Sequence, residues 1–395
     1  MRKLIVMAAG MLVCITSSAQ FYHQDSNNVD MLRHSKAIDA VRREIVIPGV
    51  NGYNAYKADL HIHSVYSDGD VTPEYRVREA WNDGLDVIAM TDHVEYRRQE
   101  GKLINYLKGY IPEGTKAINN RLIDNPADER GIQVDLNIPV KLAQDAAHAY
   151  GIVVIPGAEV TRTPETIGHY NALFTKDNNT IYAADPFVSI QNAKAQGALI
   201  MHNHPGWRRK DMNILEFEKR VYDAGLIDGI EIMNGSEFYP QAVDRALEFG
   251  FFMSGNTDIH QSTYEVYGMN GEFRDFTIIF SKDDSLKSLR EALEARRTLA
   301  CAFGTIAGEE QLLKDFFMAS VSTKVVYENA KGAKTVSFTN NTSLPFLLQF
   351  PGSNPILLRP FTTYKTSIGK QKSLSFTVDN MWCGKDAHPE FEIAF

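Results

Sequence analysis

His61 and His63 stand two residues apart in the run KADLHIHSVYSDG, residues 57–69. Leu60 and Ile62 alternate with them. Successive side chains of a β-strand point to opposite faces, so the spacing predicts two imidazoles on one face and two aliphatics packed behind. Paired imidazoles make a poor core and a good metal clamp. Ser67-Asp68-Gly69 then turns the chain and can bring a carboxylate back over the same strand end. A half-buried strand with incidental histidines has the same spacing, and His-x-His alone does not separate the two readings. Recurrence of the same chemistry along the chain does.

Seven of the eleven histidines, namely His61, His63, His93, His169, His202, His204 and His260, fall at or just after expected strands. Strand C-termini meet on one face of an α/β barrel, and active sites form there. Core histidines scattered at random would not choose that end repeatedly. Asp258-Ile259-His260 repeats the opening pattern, with a carboxylate and an imidazole at period two. Glu159 follows an apolar strand and a Pro-Gly break, and supplies a carboxylate able to bridge two cations.

The elements that must position these residues alternate between short apolar runs and helical patterns, which is α/β architecture. Thr72, Pro73 and Gly84 cap, start and close a first helix. Strands are expected at 85–90, 152–155, 168–174, 198–201, 230–233, 251–254 and 277–280. Helices are expected at about 139–150, from Pro186 to Gly197, at 240–249, 286–296 and 309–317. The stretch 96–135, with prolines at 112 and 126, reads as a lid or insertion beside the site. From about Val321 the chain turns to short alternating runs rich in Thr, Ser, Val, Phe and Asn, as in a small β-sandwich. The expected organisation is a signal peptide at 1–19, a lead-in at 20–56 with an amphipathic stretch near 38–47, a main domain at 57–319 and a β-sandwich domain at 320–395.

The N-terminus carries Arg2 and Lys3, an apolar core at 4–15 and the small residues Ser17-Ser18-Ala19. This pattern predicts a secretory signal with cleavage after Ala19, and its apolar run is too short to span a bilayer. Val13 before Cys14 disfavours a lipid anchor. The protein is therefore expected to be exported, to the periplasm or medium. Cleavage leaves Cys301 and Cys383; export permits a disulfide without establishing one, and neither is assigned to a metal. The 395 residues are 44% hydrophobic and 23% charged with net charge −8. That composition is ordinary for a globular protein, and with no basic run it disfavours a nucleic-acid partner.

The ordered set His61-x-His63, Asp68, Thr91-Asp92-His93, Glu159, His169, His204-Pro205 and Asp258-x-His260 resembles the PHP family, named for polymerases and histidinol phosphatase. The resemblance covers about 57–319. The stretches YSDG, TDHVEYR, GAEVTR, GHYNALF and HNHPGW look closest to exported bacterial phosphodiesterases with a C-terminal β domain. It implies a distorted seven-stranded (β/α)7 barrel holding two to three divalent ions, manganese, zinc or iron. Carried over by position, the first metal takes His61, His63, Glu159 and Asp258. The second takes Glu159 as a bridge with His169 and His204. The third takes Asp68, His93 and His260. Asp68 stands where some relatives have histidine, and an oxygen ligand shifts preference towards manganese or iron.

The resemblance implies metal-dependent phosphoester hydrolysis, a diester favoured over a monoester, with water activated between metals for in-line attack on phosphorus. The substrate expected is a small-molecule phosphoester. Arg162, three residues after Glu159, is the expected cation for the phosphoryl charge, while Arg208 and Arg209 are expected to form a solvated edge. His202 is expected to bind substrate, to support a ligand or to ligate directly. Asp92 is expected to cap or to support a neighbour by hydrogen bonding. Trp207 forms an apolar wall or packs inward. The alternatives are amide or carboxylic ester hydrolysis on the same metals, and a metal-stabilised binding module.

Overall fold

A computed structural model describes residues 22–34, 42–97 and 135–395. The expected signal peptide and most of the expected lid, 98–134, lie outside the described residues. Strands β1 (Tyr22–Gln24) and β2 (Leu32–His34) form an antiparallel hairpin. Its turn is held by Asp25 Oδ1, which accepts from the backbone N–H of Asn27 at 2.7 Å and of Asn28 at 3.2 Å.

The rest of the described chain forms one compact unit from Arg43 onward. Residues 42–49 have no helix or strand, contrary to a regular amphipathic element, although Ile45 is buried. Then follow β3 (Asn54–Ile62), α1 (Pro73–Asn82), β4 (Val87–Met90), α2 (Ile138–Ala147), β5 (Val153–Thr161), β6 (His169–Leu173) and α3 (Pro186–Ala195). Next come β7 (Leu199–Asn203), α4 (Glu216–Asp223), β8 (Gly229–Asn234), β9 (Glu237–Phe238), α5 (Pro240–Phe249), β10 (Phe252–Asn256) and α6 (Thr263–Val266). The α/β part closes with β11 (Phe276–Ser281), α7 (Leu286–Glu294), β12 (Thr298–Ala302), β13 (Thr305–Gly308) and α8 (Glu310–Ser320). Local signals set several of these ends. Thr72 accepts from Tyr75 N at 3.4 Å, Asp185 accepts from Phe187 N at 2.9 Å, and proline opens both helices.

These strands build one curled mixed sheet in the order β10-β8-β7-β6-β5-β4-β3-β11-β12-β13, with β9 on β8. Seven of them, β3 to β8 and β10, carry or lead into the residues of the cleft. Pairing is parallel for β3-β4-β5 and β7-β8-β10, and antiparallel where β6 sits between β5 and β7. Pro156-Gly157 does not break the strand, as its composition suggested; it is where β5 changes partners. Up to Pro156 the strand pairs with β4, and from Gly157 it pairs with β6. A Cβ on Gly157 would stand 2.8 Å from Ala172 O and 3.1 Å from Met90 O, so only glycine allows both neighbours so close. Glu159 thereby lies within β5.

After α8 the chain becomes wholly β. Strands β14 (Val321–Glu328), β15 (Lys334–Asn340) and β18 (Thr363–Gly369) form one antiparallel sheet. Strands β16 (Phe346–Gln349), β17 (Ile356–Leu358), β19 (Ser373–Val378) and β21 (Glu390–Ala394) form a second. Phe338 from the first sheet and Phe376 from the second meet at 5.5 Å between ring centroids, and Phe317 of α8 contacts Phe346, Phe376 and Phe391 at 5.2, 5.8 and 4.6 Å. Burying each such ring contributes about 1.5–3 kcal/mol, so the sheets and α8 share one core. The short β20 (Met381–Trp382) pairs with β13 and so enters the main sheet. Cys301 and Cys383 are free thiols.

Candidate metal centre

The cleft is built from strand ends. Leu60, His61, Ile62 and His63 have no exposed surface, but a register shift between Asp59 and Ile62 breaks the strict alternation expected of β3: Leu60 packs with Ala58, Val87 and Ala89, whereas Ile62 packs with Ile88 and Met90 in a different part of the core. His61 Nε2 stands 3.2 Å from Asp258 Oδ1 and 3.5 Å from Glu159 Oε1. His63 Nε2 stands 2.9 Å from Asp258 Oδ1 and 3.7 Å from Glu159 Oε2. Asp68, returned by the Ser-Asp-Gly turn, lies 3.3 Å from His93 Nε2 and 3.2 Å from His260 Nε2. Glu159 Oε1 meets His169 Nδ1 at 3.2 Å and His204 Nε2 at 3.8 Å, while Glu159 Oε2 contacts His93. The His63 ring packs against those of His93 and His260, with centroids at 4.3 and 4.4 Å.

Three overlapping groups of ligand atoms lie close enough together to hold a metal ion: His63, Asp68, His93 and His260; His61, Glu159 and His204; His61, His63 and Asp258. They share His61 and His63, and together they contain eight of the nine residues singled out as ligands. His63 adds itself to the set expected around Asp68. His169 contacts Glu159 without joining a group. Buried His61 Nε2, both nitrogens of His63, Asp68 Oδ1 and His169 Nδ1 have no hydrogen-bond partner. Leaving such an atom unsatisfied costs about 1–3 kcal/mol, so five in one cleft fit a centre made to receive cations.

The electrostatics agree. Burial pushes the Glu159 carboxyl up, but His93, His169 and His61 outweigh it and hold it well below the usual range. Asp258 is likewise raised by burial and lowered further by His61, His63 and His260. Burial, with His93 and His260 nearby, lowers His63 to about 4; burial and His169 lower His204 to about 4. These two imidazoles are neutral at physiological pH, with lone pairs available to a metal. In His61 burial is outweighed by Asp258, Glu231 and Glu159, and in His93 by Asp68 and Glu159, leaving both raised. A metal ion taken up here would have to displace any proton held on these rings.

His204 and Asp258 both have left-handed backbones, with φ of 25° and 51°. Such strain in non-glycine residues clusters at functional sites. At His204 it turns that ring away from the face taken by His202, two residues earlier. Asn203 faces the cleft and donates to Glu159 Oε1 at 2.8 Å. His202 therefore faces away, with Nδ1 2.7 Å from Tyr222 Oη, Nε2 3.4 Å from Glu218 and its ring stacked on Tyr170. The turn at His204 returns only that ring to the cleft, and His202 is excluded from direct ligation and substrate contact.

Arg162 is also corrected. It reaches the cleft wall, but its guanidinium pairs with buried Glu95 and donates to Thr161 O at 3.0 Å and Ala183 O at 2.8 Å. Burial lowers it to about 10, so it remains charged with that charge matched internally. Arg209 is no solvated edge: it binds Glu218 and the carbonyl of Pro205 at 2.7 Å. Arg208 is exposed, has φ of 56°, and lays its guanidinium 4.4 Å over the Trp207 ring at the cleft mouth. Trp207 stands edge-on to His169 and His204 at 5.5 and 5.2 Å and forms a wall. Asp92 accepts from Ser64 N at 2.8 Å and from the hydroxyl of Ser67 at 2.7 Å, fixing the turn that carries Asp68.

Sequence reasoning missed Glu231. This carboxylate in β8 has no exposed surface, lies 3.0 Å from His61 Nδ1, and accepts from His204 N at 2.8 Å and Asn256 Nδ2 at 2.9 Å. The available signal was a lone acid inside the apolar run Ile230–Met233. It fixes which nitrogen of His61 faces the centre. Glu231→Gln is expected to weaken manganese affinity by about 10–100-fold, read by competition with a fluorescent chelator; unchanged affinity would remove Glu231 from this role.

The PHP-domain family model matches residues 59–323. The chain belongs to that family. A two-domain protein from Bacteroides vulgatus, containing a predicted PHP-like metal-dependent phosphoesterase, shares 32% identity and superposes with a TM-score of 0.77 over 90% of this chain and 99% of its own. An amidohydrolase from Chromobacterium violaceum shares 16% identity, with a TM-score of 0.36 over 53% of this chain and 89% of its own. The lesion-specific endonuclease Q of Pyrococcus furiosus also shares 16%, with a TM-score of 0.38 over 65% of this chain and 59% of its own. The last two superpositions are too partial to bear on chemistry. A search of curated proteins found no match. Among the described residues of this PHP-domain chain, no helix is long and apolar enough to cross a membrane.

Proposed function

We propose that the protein is an exported metal-dependent phosphodiesterase acting on a small-molecule phosphoester. The observation that carries this reading is the convergence of three overlapping ligand groups on His61 and His63, with Glu159 and Asp258 between them, in one open cleft of about 460 Å³. A purely structural metal site closes its coordination and needs no such cleft. The Bacteroides vulgatus relative, named a predicted PHP-like metal-dependent phosphoesterase, supports the bond type. The charged start, apolar core and small residues before position 20 support export.

Two to three divalent ions held by these residues would supply Lewis acidity to a phosphoryl oxygen and lower the pKa of water. The residues of the chain do the rest. Glu159 and Asp258 keep their negative charge in a buried setting and so anchor the cations. Trp207 offers an apolar wall for one ester group. Arg208 presents a cation to phosphoryl oxygen from the mouth, the part expected of Arg162. With Arg162 matched by Glu95, one lining guanidinium among the described residues is left without a carboxylate partner, a modest grip that suits a monoanionic diester better than a dianionic monoester.

The test compares initial rates of the manganese-loaded mature protein on a chromogenic phosphodiester, its matching monoester and a single-stranded oligonucleotide, with a chelated control. A chelator-sensitive preference for the small diester is expected. A monoester preference would make it a phosphatase, and a faster rate on the oligonucleotide would replace the small-molecule substrate. No rate on any of them with metal bound would favour amide or carboxylic ester hydrolysis, or a binding module.

A further inference from the structure

The segment carrying Asp258 and His260 is poorly supported by the sheet. β10 ends at Asn256. Beyond it, the contact with β3 is one isolated bridge, Ile62 to Ile259. The backbone adds three hydrogen bonds: Asp258 N to His61 O at 2.9 Å, His63 N to Ile259 O at 3.2 Å and Asp70 N to His260 O at 2.8 Å. Asp258 is also left-handed, which favours relaxation of this segment to another conformation.

Arg76 of α1 closes this seam. Its side chain has no exposed surface, which is rare for arginine unless it is paired. Its Nε donates to His63 O at 2.6 Å, one terminal nitrogen to Gln261 O at 2.7 Å, and the other to Ile259 O at 3.1 Å and His260 O at 2.7 Å. The remaining donor pairs with Glu79, which also accepts from Thr263 N at 3.1 Å. All five donors are used, and four meet carbonyls on the two chain segments that bear His63, Asp258 and His260. His260 Nδ1 is itself 2.8 Å from Asp258 O, so the segment and its ring move together.

We propose that Arg76 is a positioning residue for the group formed by His63, Asp68, His93 and His260. It acts as a planar strut that fixes the 259–261 carbonyls against the end of β3. This rests on the reading of the cleft as a metal centre. A lysine cannot replace Arg76, since a point charge on a flexible stem does not present a fork to carbonyls on two segments.

The test is Arg76→Lys in the full mature chain, with Glu79→Gln as a milder second variant. Each apoprotein is titrated with manganese, and the bound ions are counted by elemental analysis alongside the thermal midpoint. Arg76→Lys is expected to hold one ion fewer than wild type after desalting, with the others kept. Its weakest half-saturation should rise by about tenfold or more, and excess manganese should refill the site. His260→Ala should lose the same ion, and the double variant should lose no further one. Wild-type stoichiometry and half-saturation in Arg76→Lys would overturn the proposal. If that variant does not fold, Glu79→Gln decides: a smaller shift in the same direction supports the strut, and none overturns it. A wild-type protein that retains no divalent ion would overturn the metal reading, and the strut with it.

Discussion

Glu159→Gln is expected to lower turnover on a phosphodiester by a factor on the order of 10³ or more, about 4 kcal/mol of transition-state stabilisation. The glutamine has nearly the same shape. Its oxygen can still accept from Asn203 Nδ2, which stands 2.8 Å from Glu159 Oε1, and its amide can donate to the Thr161 hydroxyl, 3.3 Å from Oε2. The strand is therefore expected to keep its place between β4 and β6, and circular dichroism should be unchanged. What is lost is the negative charge facing His61, His93, His169 and His204. Glu159 is the only carboxylate of the group it forms with His61 and His204, so metal content should fall together with rate. A variant that keeps both would show that Glu159 is not the anion on which the centre is built.

Arg208→Ala is expected to lower kcat/KM on a phosphodiester by about 10–100-fold with metal content intact. The separation from the first variant is the point of the experiment. Arg208 contacts the Trp207 face, lies outside the ligand groups and is exposed, so its removal should not disturb folding. The wild-type rate should fall as salt is raised, because an exposed guanidinium is screened, and that dependence should flatten in the variant. Arg162→Ala makes the contrast: it strands buried Glu95, so its damage should register in stability. An Arg208→Ala enzyme with unaltered kcat/KM and salt dependence would return Arg208 to the solvated edge.

The candidate ligands were legible because their signals are local. His61 and His63 at period two, the Ser-Asp-Gly return of Asp68 and the acid following an apolar run each depend on a few neighbouring residues. The helix starts at Thr72-Pro73 and Asp185-Pro186 are of the same kind, since a cap bonds within its own first turn. The Pro-Gly pair at 156–157 misled because its local meaning is a break. Its actual use, passing one strand from β4 to β6, depends on two distant partners.

The sequence by itself determined the donor types, their order along the chain, the alternation of strands and helices and the change to β structure after α8. These follow from periodicity and from caps that act over a few residues. The tertiary structure alone decided which side chains face the cleft and which charges remain available there. His202 and His204 are turned apart because His204, the residue after β7, is itself left-handed. Arg162 is occupied by Glu95, and Glu231 reaches His61 from 170 positions along the chain. Arg76 and the carbonyls of 259–261 meet only when the sheet curls. A spacing constrains where a side chain starts, whereas its partner, and so its chemistry, is set by what the fold packs against it.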